Sequence, residues 1–415
     1  MRNTIQFLED RAAWLLVLGL LLLSGNLFAQ QGGLLLYEVG TPNIGNANAG
    51  QGAVSHDAST VYFNPAAMTE VENQGWLIGI QAMIPRFNYH SETSSSSDDN
   101  AGGFTPALGV YWMKHINTQW SVGATLNFPM GSALDYGTDW DGKYYLTEAT
   151  LVVVNIAPAV AYKLNDQWSF GFGLNLYLGM LSEKMMIPRV ISGSQDADAE
   201  MDGTSFNVGF QLGVHYRMNE KTTLGLTYRY KSDIDFSGDA DVNNFNRGGI
   251  TQTSVPFSTE MVIPHGINLS LSQYMGDFEL LFDVGYTNWK SFDYQPIILQ
   301  EEYSVEMNRD WQDTYRIGIG TNYFINDQWT ARAGVSYDTS PVEDQYRTPD
   351  LPLCEIWRFG VGGTKKLGEK MNLSLSYNFM YGPDNKIDQT SPIRGDLVGE
   401  YDPTNVHTIA ISLGF

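Results

Sequence analysis

Residues 168–178 alternate strictly between two kinds of side chain, and this period of two constrains the fold more than any other feature of the chain. Apolar side chains occupy every second position: Trp168, Phe170, Phe172, Leu174, Leu176 and Leu178. Small or polar side chains and one tyrosine fill the positions between them: Ser169, Gly171, Gly173, Asn175 and Tyr177. Because successive side chains of a strand point to opposite faces, this segment predicts a strand with one apolar face and one polar face.

The same alternation recurs at 206–217, 278–286 and 315–323, where charged residues such as Asp283 and Arg316 fall on the second face. Apolar side chains outward and small or polar side chains inward are typical of a transmembrane antiparallel β-barrel. A soluble two-sheet sandwich would bury its apolar face and alternate in the same way, so the periodicity by itself leaves both folds open.

Short turn signals and long polar segments separate these strands. The short turns recur at Asn117, Asn165-Asp166, Asn219-Glu220, Met275-Gly276, Asn326-Asp327 and Gly368-Glu369. The longer polar segments lie at 91–103, 131–146, 186–203 and 236–257. Short turns at one end and long loops at the other match the periplasmic turns and extracellular loops of outer-membrane barrels, and the hairpin count predicts about fourteen strands.

Aromatic residues favour the membrane barrel over the sandwich. Three short turns lead directly into Trp120, Trp168 and Trp329, which would then lie at headgroup depth as an aromatic girdle. The segment 402–415 alternates as well and ends at Phe415, so it suits closure against the first strand. It also resembles the C-terminal signal by which outer-membrane barrels are recognised for assembly.

Composition agrees with such a barrel and argues against other classes of protein. The chain has 42 Gly, 23 Tyr, 20 Phe and 10 Trp, and only 17% of its residues are charged. In lipid every backbone amide must be paired, which a closed sheet of short alternating segments achieves. The net charge of −22 argues against a nucleic-acid partner, and the single Cys354 cannot form an internal disulfide.

The N-terminal residues 1–29 read as a cleaved export signal. Arg2 and Arg11 supply basic charge, an apolar core follows at 14–23, and a cut after Ala29 is expected. The apolar core of about ten residues is too short for a spanning helix, which needs about twenty. The sequence therefore predicts a protein exported to the bacterial outer membrane.

Residues 30–74 precede the first predicted strand and lack its alternation, although they are rich in Gly, Ala and Asn. A barrel of about fourteen strands is wider than the eight-stranded barrels that their own side chains fill. We therefore expect residues 30–74 to form a hatch that plugs the lumen of a barrel at 75–415. A disordered tail is the alternative, but the apolar residues at 34–36 and 61–63 argue against it.

Two strings in this hatch resemble the hatch of the FadL family, at 45–50 and at 57–68. The second contains Asn64-Pro65-Ala66, which matches the Asn-Pro-Ala motif of that family, and similar segments continue at 157–168, 286–289 and 315–342. FadL proteins are outer-membrane transporters of long-chain fatty acids, with relatives that take up aromatic hydrocarbons. The resemblance implies a monomer that needs no cofactor or metal. Its partners would be a hydrophobic ligand, outer-membrane lipid and the barrel assembly machinery.

The family captures its ligand inside the barrel and releases it sideways, through a gap made by a kinked third strand. In this chain Gly131 matches the kink position, and Pro129 lies two residues before it. Proline cannot donate a ladder hydrogen bond and glycine permits unusual backbone angles, so pairing is expected to fail there. The alternative is that both residues mark the start of an extracellular loop.

Fatty-acid transporters of the family hold the ligand carboxylate with basic residues on the fifth and tenth strands. The matching positions here are Met185 and Met307, with Lys184 and Arg309 close by. If the match to the family is shifted by one or two residues, Lys184 and Arg309 take the basic positions and the contact with a ligand carboxylate is restored. The alternative is that the ligand has no carboxylate. The third outer loop, expected at 186–203, is short and acidic and lacks the apolar insertion of the family. The sequence therefore leaves the identity of the ligand open.

Two other functions compete with transport. A membrane-embedded lipid hydrolase would need a nucleophile beside a histidine and an acid, and the six histidines form no such motif. A FadL-like barrel could also serve as a scaffold in protein secretion. The extended family resemblance in the last third of the chain favours the transporter, and we expect no catalytic residues.

Overall fold

The computed structural model describes residues 35–415, except for 73, 95–99, 194, 248–249, 301–302 and 384. The export signal expected at 1–29 and the first hatch residues at 30–34 lie outside the described residues. Within the described part, no helix is long and apolar enough to cross a bilayer. Its helices are η1 (Pro42–Asn46), α1 (Thr60–Phe63), η2 (Pro65–Glu70), α2 (Arg189–Ser192) and η3 (Trp289–Ser291).

Strands make up most of the fold. The first are β1 (Gly75–Ser91), β2 (Thr105–His115), β3 (Trp120–Asp135), β4 (Glu148–Lys163), β5 (Trp168–Ile187) and β6 (Ala197–Arg217). The middle of the chain forms β7 (Thr222–Arg229), β8 (Ser232–Arg247), β9 (Ile250–Ile263), β10 (Gly266–Met275), β11 (Phe278–Thr287), β12 (Tyr294–Leu299), β13 (Tyr303–Asn308) and β14 (Thr314–Asn326). The last are β15 (Trp329–Asp338), β16 (Ile356–Leu367), β17 (Met371–Gly382), β18 (Lys386–Gln389) and β19 (Leu397–Gly414).

These strands form a closed antiparallel barrel of 14 strands, which confirms the predicted fold class. The wall strands that are broken into two segments are β7 with β8, β9 with β10, β11 with β12, β13 with β14, and β17 with β18. In β7 and β8, for example, the two segments pair with successive parts of the same strand, β6. The barrel closes where β19 pairs with β1, from Leu77↔Gly414 to Ser91↔Gly399.

The two faces of the strands separate as the alternation predicts. Phe170 and Phe172 are each 43% exposed on the outer face, whereas Ser169 and Asn175 are buried. Three of the short turns, at Asn117, Asn165 and Asn326, share one arrangement, in which the asparagine side chain accepts two backbone hydrogen bonds. Asn117 Oδ1, for example, accepts from the N–H groups of Gln119 and Trp120, at 2.8 Å each.

Of two segments expected to be loops, 236–257 lies largely in strands and 186–203 lies in strands for half of its length. The segment 186–203 continues the β5–β6 pairing up to Ile187↔Ala197, and 236–257 continues β8–β9 up to Arg247↔Ile250. Sequence reasoning was wrong here because acidic residues such as Asp202 take the outward positions, so the apolar alternation that marks a strand in lipid disappears. The third outer hairpin is therefore longer than expected.

Residues 35–72 fill the lumen, so the hatch plugs the barrel as predicted. η1 packs against β14–β17, and η2 packs against β3–β6. Inward-facing glycines of the wall make room for the hatch backbone. A Cβ atom added at Gly171 would lie 2.2 Å from the Ala66 nitrogen, and one at Gly213 would lie 2.1 Å from Asn64 Oδ1.

Candidate transport site: hatch, wall window and luminal cavity

Asn64 of the predicted hatch motif ties the hatch to itself and to the wall. Its fully buried side chain caps η2, since Oδ1 accepts from the Ala66 N–H at 3.1 Å. Its Nδ2 donates to the Gly52 carbonyl at 2.6 Å and to the Val214 carbonyl on β6 at 3.1 Å. Pro65 is the first residue of η2, where its missing N–H leaves no unpaired donor. The motif is thus a joint between two parts of the hatch and the wall.

On the opposite side, five buried ionisable side chains join the hatch to the wall. We call this set the ion cluster: Glu38, Asp283, Arg316, Asp338 and Arg358. Arg316 lies 3.3 Å from Asp283 and 3.0 Å from Asp338, and it donates to the Ala47 carbonyl at 2.6 Å. Arg358 pairs with Asp338 and lies 3.4 Å from Glu38. Strands β11, β14, β15 and β16 therefore share one charge network with the hatch.

Tyr37 and Glu38 bring the hatch into this network. The Tyr37 ring lies 4.3 Å from the Arg316 guanidinium and 5.5 Å from that of Arg358. Burial, with the nearby Asp338 charge, raises the pKa of Tyr37 to about 12, so the ring is neutral at pH 7. Burial also raises the pKa of Glu38, although Arg358 and Arg316 act in the opposite direction. The stack of a neutral ring on two cations is a favourable cation–π arrangement.

The wall is interrupted between β2 and β3. Within these two strands, pairing ends at Val110↔Leu126. Nearer the extracellular end, the Asp135 N–H donates to the Ala101 carbonyl at 2.9 Å. We call the unpaired stretch of wall between these two contacts the window.

The two predicted kink residues lie in the window, on β3. The register with β4 shifts between Asn127 and Met130, which places one extra residue in β3 as a bulge. Pro129 lies within this bulge. Gly131 pairs with Val152 of β4, so the irregularity comes before Gly131 rather than at it. Residues 127–134 are all buried, and the alternation of the strand is lost there.

The hatch occupies the window from the inside through Leu35 and Leu36, which we call the gate segment. The Leu36 N–H donates to the Pro129 carbonyl at 2.8 Å, and Leu35 forms an antiparallel bridge with Met130. Leu35 and Met130 also belong to one buried apolar cluster. The gate segment thus supplies β3 with a backbone partner at the place where pairing with β2 has ended.

A cavity of about 670 Å³, counting its open mouth, lies beside the gate segment. The hatch contributes Leu35, Leu36, Tyr62 and Phe63 to its lining, and strands β6, β7, β10 and β11 contribute the wall. Arg229, at the end of β7, is the basic residue of this lining. The cavity therefore combines apolar hatch side chains with one cationic group. Sequence reasoning missed it because an arginine at a strand end carries no motif.

The predicted ligand-binding residues on the fifth strand lie on opposite faces of β5. Lys184 has the same parity as the outward-facing Phe170 and pairs with Glu148 at 3.0 Å and Glu200 at 3.3 Å. Met185 points the other way and packs against a cluster that includes Phe257. The side chain of Lys184 therefore faces away from the lumen and already contacts two carboxylates of the protein, and its contact with a ligand carboxylate stays a prediction.

The residues predicted on the tenth strand are also engaged. Met307 pairs with Gln295 of β12 and is half-buried. Arg309 is buried and forms a bidentate pair with Asp350, at 2.5 and 3.1 Å, while its Nε donates to Gln295 at 3.0 Å. Burial raises the pKa of Asp350, but Arg309 outweighs it and holds this pKa below its usual range. Arg309 is thus already neutralised by a carboxylate of the protein itself.

Asp350 belongs to residues 339–355, a segment between β15 and β16 that we call the lid loop. Its apolar residues Leu351 and Leu353 are buried in the same cluster as Trp289 and Trp311. The Tyr136 hydroxyl donates to the Pro349 carbonyl at 2.9 Å. The lid loop therefore folds into the extracellular end of the lumen. The sequence hinted at it only through the apolar string at 351–354.

The lipid-facing barrel, the luminal hatch and the interrupted wall together define an outer-membrane transport channel plugged by its own N-terminal segment. The profile of one family, described as outer membrane protein transport protein (OMPP1/FadL/TodX), matches residues 22–414. This chain belongs to that family, and it is an outer-membrane protein.

Characterised relatives cover nearly the whole chain at low identity. The long-chain fatty acid transport protein of Salmonella typhi is 26% identical over 398 residues, which span 87% of this chain and 90% of that protein. The protein of the same name from Escherichia coli K12 is 24% identical over 405 residues, with the same coverage. Outer membrane protein P1 of Haemophilus influenzae is 22% identical over 422 residues, which span 89% of each chain.

Solved structures support the fold. A FadL homologue of Pseudomonas aeruginosa superposes with a TM-score of 0.84 at 17% identity and covers 92% of this chain and 99% of that one. The toluene transporter TodX of Pseudomonas putida gives a TM-score of 0.71 at 17% identity, over 89% of this chain and 98% of its own. The resemblance in fold therefore extends over the barrel and the hatch together.

Proposed function

We propose that this protein carries hydrophobic small molecules, long-chain fatty acids foremost, passively inward across the outer membrane. The ligand is captured in the lumen and leaves sideways into the membrane through the window beside β3. The names of the relatives support this ligand class: several are long-chain fatty acid transport proteins, and one solved neighbour is a toluene transporter. Aromatic hydrocarbons are accordingly the second candidate ligand.

One observation carries the sideways route. At the window, β3 pairs with the hatch rather than with β2, through the hydrogen bond from Leu36 to the Pro129 carbonyl. If residues 35 and 36 withdraw, the wall opens towards lipid without the loss of any β2–β3 pairing. In this mechanism the hatch both plugs the lumen and, through residues 35 and 36, closes the window.

Release into lipid suits an apolar ligand energetically. Each methylene group moved from water into an apolar environment gains about 0.8 kcal/mol. A path from an apolar lumen directly to lipid avoids exposing these groups to the periplasm. Partition into the membrane then supplies the driving force, and no other energy source is required.

Hydrolysis finds little support in the site. Within the described residues, the pair that most resembles a catalytic one is His115 and Ser121, whose Nδ1 and Oγ lie 2.7 Å apart. The other ring nitrogen of His115 contacts the Val71 carbonyl at 2.9 Å, not a carboxylate. A serine hydrolase needs an acid at that position to orient and stabilise the imidazolium.

A reversible lock tests the sideways route. Leu35→Cys combined with Met130→Cys joins two bridged residues, and Cys354→Ser in the same protein leaves only the new pair to oxidise. We expect oxidised cells to lose uptake of labelled oleate and reductant to restore it. Binding of oleate to the purified protein should persist in both states.

A matched lock controls for the disulfide itself. Thr321→Cys with Ala333→Cys joins β14 to β15, far from the window, and should leave uptake unchanged. Equal uptake by the oxidised and reduced forms of the window lock would rule out the window as the exit. A path through the hatch to the periplasm would then take its place, and failure of the parent to import any apolar ligand would favour a secretion scaffold.

A further inference from the structure

Four amide side chains form a row along the inner wall, from the cavity to the window. They lie on four consecutive strands, and we call them the amide row: Gln211 on β6, Asn175 on β5, Asn155 on β4 and Asn127 on β3. Gln211 lines the cavity, and Asn127 is the residue at which the register shift in the window begins. The amide row therefore joins the place where a ligand can be held to the place where it can leave.

The pairing of the strands makes the amide row continuous. Asn127 lies directly opposite Asn155, and the Asn155 Nδ2 donates to the Asn127 Oδ1 at 3.3 Å. Asn155 lies opposite Tyr177, so Asn175, two residues earlier on β5, is its diagonal neighbour on the same face. The same relation holds between Asn175 and Gln211 across β5 and β6. Diagonal neighbours lie about 7–8 Å apart, so one bound group can reach from each amide to the next.

The amide row is buried, and much of its hydrogen-bonding capacity is unused. Asn127, Asn155 and Asn175 are each at most 1% exposed. Among the described residues, the Asn155 Oδ1 and both amide atoms of Asn175 have no hydrogen-bond partner. A buried amide without a partner is unfavourable, and native proteins keep few of them. Asn378 on β17 also has an unpartnered oxygen, and what sets the amide row apart is its course from the cavity to the window.

The gate segment covers the amide row as well as the window. Leu35 forms its bridge with Met130, which pairs with the inward-facing Val153 of β4, two residues before Asn155. Leu35, Val153 and Tyr177 belong to one buried cluster. Withdrawal of Leu35 would therefore open the layer next to Asn155 together with the window. A head group that leaves the cavity at that moment would meet amide donors and acceptors.

We propose that the amide row is the path along which the polar head of an amphiphilic ligand moves from the cavity to the window. This inference rests on the proposed transport function and adds the residues that handle the head group. An amide both donates and accepts, so the row suits a neutral head group that does the same, such as a hydroxyl or a protonated carboxyl group. Each amide replaces the hydrogen bond that the head group gives up at the one before, whereas a hydrocarbon makes no such contact. Asn155, in the middle of the row, is thus a specificity-determining residue for passage.

Uptake of labelled 1-hexadecanol and hexadecane by cells separates transfer of the head group from passage of the tail. Asn155→Leu removes the amide and keeps a similar branched shape. Above the background of cells that lack the protein, we expect uptake of 1-hexadecanol to fall about 2- to 10-fold, as loss of one hydrogen bond predicts. Uptake of hexadecane should not change. Binding of 1-hexadecanol to the purified protein should persist, because Asn155 does not line the cavity. Heat-modifiable migration on gels checks that the variant is folded.

Asn378→Leu is the matched control, because Asn378 is as deeply buried and has an unpartnered oxygen but lies outside the amide row. It should take up both compounds as the parent does, and a selective loss of 1-hexadecanol uptake there would overturn the inference. Parental uptake of 1-hexadecanol by folded Asn155→Leu would also overturn it, as would an equal fall for both compounds, since a change of shape alone does not distinguish them. Failure of the parent to take up either compound would instead contradict the proposed function itself.

Discussion

The hatch meets the wall in two different ways. Towards β11 and β14–β16 it joins the ion cluster, in which Arg316 and Arg358 share Asp338 and Arg358 also pairs with Glu38 of the hatch. Towards β3 the described part of the hatch, which begins at Leu35, makes the backbone hydrogen bond from Leu36 to Pro129 and apolar contacts. Breaking a buried ion pair by removing one partner costs about 3–5 kcal/mol, whereas a backbone hydrogen bond contributes about 0.5–1.5 kcal/mol. The contrast indicates a hatch that is anchored on one side and releasable on the other.

The largest loss of stability is expected when the ion cluster, which anchors the hatch, is disrupted. Arg316→Met leaves Asp283 and Asp338 buried with one cation fewer, so we expect the barrel to lose about 3–5 kcal/mol of stability. The temperature at which the folded band disappears on gels should fall, and hydrogen exchange in the hatch should accelerate. Lys365→Met removes an exposed cation that lies over Trp329 and should change neither measurement. Parental stability of Arg316→Met would mean that the ion cluster does not anchor the hatch.

A smaller effect is expected at the joint between the anchored and releasable sides. Asn64→Ala removes the cap of η2 and two hydrogen bonds to backbone carbonyls, which should cost about 1–3 kcal/mol. The barrel should still assemble, but cells should take up less labelled oleate at equal surface levels. Pro65→Ala should act in the same direction, more weakly. Asn165→Ala removes a comparable side-chain cap in a periplasmic turn and serves as the control.

The releasable side should respond in transport more than in stability. Gly131→Phe places a bulky side chain in the buried end of β3 beside the window, at about 1–3 kcal/mol for overpacking. Uptake by cells should fall, while oleate binding to the purified protein survives because capture precedes release. Gly103→Phe is the control, since nothing lies within 4 Å of an added Cβ there. If uptake of Gly131→Phe matches the parent, β3 does not form the exit.

The smallest expected effect is a pH dependence of the stability, which arises from one contact between the hatch and β11. His56 of the hatch lies 2.7 Å from Glu279 of β11. Burial lowers the pKa of His56, but the charge and hydrogen bond of Glu279 outweigh it, so the pKa is raised above its usual value. The stability from this pair is therefore fully present below about pH 6.5, the pKa of unfolded histidine, and is lost as pH rises through the folded pKa. We expect the parent to lose less than about 1 kcal/mol between pH 6 and pH 9.

His56→Gln should flatten this dependence, measured as the temperature at which half of the protein unfolds. His90→Gln removes an exposed histidine on the extracellular side and should keep the parental slope. The same slope in His56→Gln and the parent would show that this contact plays no part in holding the hatch.

The sequence alone could predict the strands of the wall because lipid imposes one rule on every strand: the outward side chains are apolar and alternate with small or polar inward ones. Where that rule acts, at 168–178 for example, alternation located the strand and its faces. Beyond the lipid the outward face meets water and carries polar residues such as Asp202, so the apolar alternation disappears and the sequence predicts loops at 186–203 and 236–257. A strand pattern also does not show which side chains of a distant loop will contact the strand. The sequence left Arg309 free to bind a ligand, whereas in the structure Asp350 of the lid loop pairs with it. No signal in the sequence marked the cavity lined by Arg229, because an arginine at the end of a strand carries no motif.

The seam of the barrel has a consequence for the order of events in assembly. The Trp76 N–H donates to the Phe415 carbonyl at 2.7 Å and the Phe415 N–H to the Trp76 carbonyl at 2.9 Å, one residue beyond the start of β1. The hatch joins the wall at this same point, and the wall then surrounds it. A closed wall admits no folded segment from the side, so the hatch enters the lumen either before β1 and β19 pair or through an open end of the barrel. Pairing at the seam thus completes the wall around the hatch that leads directly into it.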